Sequence, residues 1–170
     1  MPGLLKKLAG GDLRSEGNAE KVAKEIIKNP KLIKELLEGI KSKEEVIRGR
    51  VAMTLEIISR ENVKLLEKYL PQLFELSKEI IPQVRWHVAD IFGRVEKYSK
   101  EELKRIISTL SDYLKDKSMI VRVETLEALS NIAQREKELE REIISKIEAL
   151  RKDKNINVRK RVERIIERLK

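Results

Sequence analysis

Apolar positions recur along this chain with a fixed period of 37 residues. Ile47, Val84, Val121 and Val158 each precede an arginine, at Arg48, Arg85, Arg122 and Arg159, with no insertion or deletion between copies. Further apolar positions follow in register: Leu55, Phe92, Leu129 and Ile166, then Ile58, Val95, Ile132 and Leu169. The spacing i, i+4, i+8, i+11 marks one face of an α-helix, so each copy is predicted to end in an amphipathic helix, B. A second helix, A, precedes it. Its aligned positions are Ile33, Leu70, Ile107 and Ile144, then Leu36, Leu73, Leu110 and Ile147, an i, i+3 stripe.

Boundary residues support this division. Asn29 before Pro30 places an N-cap residue ahead of a proline at the first helical position. Ser42 with Glu45, and Ser99 with Glu102, have the spacing of capping boxes. Ile81–Pro82 breaks the chain before the second B helix, and Pro71 is expected to kink or split the second A segment. A further helix is expected within residues 12–28, with Val22, Ala23, Ile26 and Ile27 on one face. Gly10 and Gly11 separate it from a short turn of helix at 3–9.

One helix pair cannot bury its own apolar stripe, whereas stacked pairs bury a continuous core. The expected architecture is all-α: a right-handed α-solenoid of four 37-residue pairs with an N-terminal cap, forming one domain over 1–170. Its segments are 1–29, about 30–61, 62–98, 99–135 and 136–170.

The B-helix pattern resembles the HEAT-repeat (armadillo-like) family, including its short bacterial and archaeal members. That family's pattern runs from a turn Asp to Val-Arg and on to a Leu. Asp116, Val121, Arg122 and Leu129 match it best, followed by Asp153, Val158, Arg159 and Ile166. The second copy has Glu79 at the turn and the first has Ser42. The resemblance covers about residues 18–170. It implies an inter-repeat ladder built from Arg48, Arg85, Arg122 and Arg159 with Asp116 and Asp153. It also implies a concave binding face lined by the B helices.

Composition narrows the chemistry. The chain has 170 residues, 41% of them hydrophobic and 39% charged, and neither its charge mix nor its apolar content suits a disordered chain. With no Cys and one His, disulfides, thiolate metal sites and His-rich metal sites are excluded. Gly-rich phosphate loops and nucleophile motifs are missing from the sequence. A non-enzyme without cofactors is therefore expected. No run approaches the roughly 18 apolar residues of a membrane span, so a soluble, cytoplasmic protein is the expectation. Its Lys, Glu, Arg and Ile bias is thermophile-like.

Binding surface is sought in B-helix columns whose chemistry does not repeat. These are Arg50, His87, Glu124 and Arg161; Met53, Asp90, Glu127 and Arg164; and Ile57, Arg94, Asn131 and Arg168. Aromatic residues are favoured binding anchors, and the only Trp, Trp86, adjoins the only His, His87. Trp86, His87, Asp90, Arg94, Met53, Ile57 and Arg50 are the candidate partner-binding residues. Trp86 could instead pack partly against the next repeat.

The net charge of +9 is concentrated at the ends. Residues 151–170 hold nine Lys/Arg and three Asp/Glu, and Lys6 and Lys7 add to the other end, whereas the intervening residues carry 27 positive and 26 negative side chains. Lys160, Arg161, Arg164 and Arg168 form a predicted basic stripe on the last helix. That stripe reads either as a soluble cap or as a phosphate-binding surface. Two functions follow: a non-catalytic scaffold binding a protein partner on the B helices, or a nucleic-acid binder using the last helix. A remote third is the HEAT-like DNA glycosylases, which Trp86, Asp90 and Arg94 faintly echo.

Overall fold

The structure, a computed structural model, describes residues 3–169; Met1, Pro2 and Lys170 of the expected domain lie outside the described residues. These residues form ten α-helices and no strand. The helices are α1 (Gly3–Leu8), α2 (Ala19–Lys28), α3 (Ile33–Glu38), α4 (Glu45–Asn62), α5 (Leu70–Leu76), α6 (Pro82–Arg94), α7 (Lys100–Tyr113), α8 (Met119–Arg135), α9 (Glu140–Glu148) and α10 (Ile156–Leu169). Helices α2, α4, α6, α8 and α10 pack each against the next as one layer, the B layer, and α3, α5, α7 and α9 are the A elements beside it. The molecule is an all-α solenoid. Its apolar stripes merge into one core from Leu4 to Ile166.

Local chemistry explains the helix ends. Ser99 makes a full capping box, accepting from Glu102 N–H while the Glu102 carboxylate accepts from Ser99 N–H. The box expected at Ser42 does not form, because Ser42 Oγ instead accepts from Glu44 N–H in the turn before α4. Pro71 falls in the first turn of α5, and the A segment ahead of it is reduced to 3₁₀ turns at 63–65 and 67–69.

The helix expected within 12–28 begins only at Ala19. Residues 9–18 form a loop wrapped around the Arg50 guanidinium, which donates to the carbonyls of Leu8 (2.8 Å), Gly10 (2.5 Å), Asp12 (3.2 Å) and Ser15 (3.2 Å). Gly17 completes the wrap with φ +53°, and a Cβ there would lie 2.7 Å from the Arg50 Cζ.

Arginines bind the repeats together at the A–B turns. Each donates to the carbonyl six residues before it: Arg48 to Ser42, Arg85 to Glu79, Arg122 to Asp116 and Arg159 to Asp153. Three also reach the acid of the following turn, as Arg48–Glu79 (2.9 Å), Arg85–Asp116 (2.7 Å) and Arg122–Asp153 (2.9 Å). Glu79 thus fills the rung where the sequence departs from the family's Asp. Within the B layer, α6 and α8 meet closely at Gly93, where a Cβ would stand 2.6 Å from the Ala128 backbone.

Candidate functional site

The B-layer face carries most of the residues singled out from the sequence, but it sorts them into different roles. Met53 and Ile57 are half-buried on α4 and line one cavity with Glu56, Arg60, Glu61, the α6 residue His87, Glu20 in the first turn of α2 and Glu16 in the loop before it. Its volume is about 270 Å³. A second cavity of about 310 Å³ adjoins it, lined by Glu20, Lys24, Ile27, Lys28, Ile57 and Glu61. The two share Glu20, Ile57 and Glu61, so together they make a groove between α2 and α4.

Two expected surface residues are buried. Arg50 is 3% exposed and engaged with the N-terminal loop, which removes it from any docking surface. His87 is 7% exposed, and its Nε2 has no hydrogen-bond partner. The reason is a further column: Thr54, Ile91, Ala128 and Ile165 are all buried. Positions 50 and 87 lie one helical turn before it, at the edge of a stripe wider than expected. Trp86 is half-buried, packs against the core, and stands 5.6 Å from the His87 ring. It is not part of the cavity lining.

Glu56, unremarked in the sequence, is the centre of a polar network between α4 and α6. Its carboxylate accepts from Arg60 (2.5 and 2.6 Å) and from Arg94 (3.3 Å), and Arg94 also pairs with Asp90 (2.7 Å). Burial and then the Asp90 carboxyl push Glu56 up to about 7, against the pull of Arg60. Burial prevails because Glu56 is 1% exposed while its strongest cation is 59% exposed and screened by water. The same burial brings His87 down to about 4, with Arg60 adding to it and Asp90 opposing, so its imidazole is neutral near pH 7. Asp90 and Arg94 are therefore members of an ion network rather than open groups beside Trp86.

The basic stripe of α10 is divided. Arg161 and Arg168 turn back onto α8, where both bind Glu127 (2.6 and 2.7 Å) and Arg168 also donates to Ser130. Burial acts to raise Glu127, but the bonds from Arg168 and Arg161 outweigh it and hold the carboxyl below its usual range. Burial also raises Glu124, helped by the nearby Asp90 charge. Lys160 and Arg164 are exposed without an ion pair among the described residues. No helix of the described residues is long and apolar enough to cross a membrane.

No family model matches the chain, and no curated protein does. Solved structures do. An engineered protein superposes with a TM-score of 0.68 at 20% identity, covering 98% of this chain and 79% of its own. A computationally designed armadillo repeat protein for modular peptide recognition gives 0.68 at 18% identity, covering 96% of this chain and 79% of its own. A designed armadillo repeat protein in complex with the peptide (KR)4 gives 0.68 at 18% identity, covering 98% of this chain and 80% of its own. The chain has the armadillo/HEAT-like helical-repeat fold.

Proposed function

We propose that the protein is a non-catalytic scaffold that binds an extended segment of another protein along the B-layer face. The observation carrying this reading is the groove between α2 and α4, whose two cavities share lining residues and so suit a chain passing from one to the other. Each is near or below the roughly 300 Å³ at which small-molecule pockets begin, a size matched to single side chains. Two of the similar structures are of proteins made for peptide recognition or solved with a peptide, which supports the same use of this fold. A peptide array, followed by titration of the tightest peptide against the single Trp, tests the reading. Binding that perturbs Trp86 and the α2–α4 amides supports it, whereas failure of every peptide to perturb a B-helix residue refutes it.

The nucleic-acid reading is weaker, because Glu127 occupies two of the four expected cations, Arg161 and Arg168. Lys160 and Arg164 remain as its support. Phosphate contacts make affinity fall steeply with salt, so a gel shift at two salt concentrations with Arg164→Glu distinguishes it from peptide binding.

A further inference from the structure

Four A-to-B turns line one edge of the solenoid, since the ladder pairs Arg48–Glu79, Arg85–Asp116 and Arg122–Asp153 bridge consecutive turns. A lysine recurs there at the 37-residue period, as Lys41, Lys78, Lys115 and Lys152. Two residues further on stand Lys43, Ile80, Lys117 and Lys154. All of these lysines are exposed, and none is ion-paired among the described residues. The turn acids Glu79, Asp116 and Asp153 are held by the ladder arginines, and the exposed carboxylates of the described turns are Glu44 and Glu45 alone. The near balance of charge along the body therefore conceals a basic edge. At the opposite edge the signs are mixed, as at Glu96, Lys97, Lys100 and Glu101. A cation at the end of each A element complements the helix dipole, which accounts for the first lysine column. It does not account for the isoleucines. Ile80, Ile120 and Ile156 are 79%, 42% and 54% exposed, and they are the exposed large hydrophobic residues of the described chain. All three lie on the lysine edge: Ile80 in the turn before α6, Ile120 as the second residue of α8 and Ile156 as the first of α10.

We propose that this edge docks on an anionic membrane surface, with the three isoleucines entering the interface among lysines that meet the lipid headgroups. Peripheral binding of this kind draws on buried apolar area and on attraction to anionic lipid together, and each lysine near such a surface is worth about five-fold in affinity. Packed helices lie about 8–10 Å apart, so the row of four turns is about 30 Å long. It presents its side chains next to one another, as a flat partner requires. No aromatic residue is exposed among the described residues. The edge thus lacks the stacking platform used on single-stranded nucleic acid and the aromatic anchors of protein hot spots. Its residues line neither cavity of the B-face groove, so docking leaves that groove open to a protein segment, and the two readings stand or fall separately.

Co-sedimentation of the full chain with vesicles of phosphatidylcholine, alone or mixed with phosphatidylserine, tests the proposal. The chain is expected to bind the anionic vesicles at least about ten-fold more tightly than the neutral ones, and less tightly as salt rises. Lys117→Glu with Lys154→Glu is expected to weaken that binding about ten-fold or more. Ile80→Ser with Ile120→Ser and Ile156→Ser is expected to weaken it several-fold at unchanged charge. All of these positions are exposed, and urea unfolding confirms that each variant is folded. Equal binding to both kinds of vesicle, or none to the anionic kind at low salt, overturns the proposal. Loss in the lysine variant alone, with the isoleucine variant binding as the parent does, also overturns it, because attraction to a polyanion needs no inserted apolar group. Lysine-dependent binding of duplex DNA or of an acidic peptide, with no binding to vesicles, overturns it as well and assigns the edge to that partner.

Discussion

Replacing Asp153 by Asn should uncouple the last repeat from the one before it. Asp153 Oδ1 accepts from Arg122 Nη2 across the repeat boundary at 3.1 Å, and Oδ2 lies 2.9 Å from Nε as an ion-pair contact without a hydrogen bond. The pair is the most buried of the three rungs, at 5% and 11% side-chain exposure against 14% and 20% for Arg48–Glu79. Asparagine keeps an oxygen for the Asn155 N–H that Asp153 now accepts at 2.8 Å, so the change isolates the charge. Removing one partner of a buried ion pair costs about 3–5 kcal/mol because the other charge is left uncompensated. The retained oxygen can still accept from Arg122, so about 3 kcal/mol is expected. At about 2–4 °C per kcal/mol for a chain of this size, the melting midpoint should fall by about 6–12 °C. Urea unfolding is the assay, since guanidinium would screen the pair. In a repeat array, stability depends on interfaces between neighbours, so a reduced urea slope or a separate early transition from α9–α10 is also expected. In an Arg122→Met background the same substitution should cost less than about 1 kcal/mol, a coupling measurable by the double-mutant cycle. An equal cost in both backgrounds, or a loss no larger than that of the exposed Glu20→Gln, would refute the structural role of the ladder.

Three further outcomes follow from the same geometry. Glu56 binds its proton more tightly folded than unfolded, so its contribution is greatest below about pH 4.5 and is lost as pH rises through about 7. Allowing for solvent screening, urea titrations should show about 1–2 kcal/mol of this loss between pH 5 and 8, and Glu56→Gln, facing the same Asp90, Arg60 and Arg94, should flatten it. Gly93→Ala improves helix propensity by about 1 kcal/mol yet places a methyl against the Ala128 backbone; net destabilisation of about 1–3 kcal/mol is expected by thermal melting. Arg50→Ala removes the donor shared by the carbonyls of Leu8, Gly10, Asp12 and Ser15, so hydrogen exchange over residues 9–18 should accelerate at least ten-fold while α7–α10 are unchanged.

The solenoid was legible because its core is periodic. An apolar stripe repeated at 37 residues is set by near-neighbour packing, and four copies reinforce one another. Features that occur once were not legible. Arg50 shares its column with His87, Glu124 and Arg161, yet it alone meets the N-terminal loop, a contact 35 to 42 residues away in sequence. Ser42 has the spacing of a capping box, but its hydroxyl makes a tighter local turn with Glu44. Of the candidate residues, the structure brings Met53, Ile57 and His87 together in one cavity, whereas Glu16, Glu20, Glu56 and Glu61, which also line it, belong to none of the columns singled out in the sequence. The column Thr54, Ile91, Ala128 and Ile165, apolar in three of its four copies, was the available signal, since it places positions 50 and 87 beside a buried seam. The net charge of the last helix was similarly misleading, because pairing with Glu127 across helices is invisible to a count along the chain.

The claim that the B face receives a protein segment is tested most directly by mapping where the tightest peptide from an unbiased array protects the full chain from hydrogen exchange. Protection on α2, α4 and α6, centred on residues 53–61 and 87, is the expected result. Protection confined to the outer face of α10 or to the A elements would contradict it.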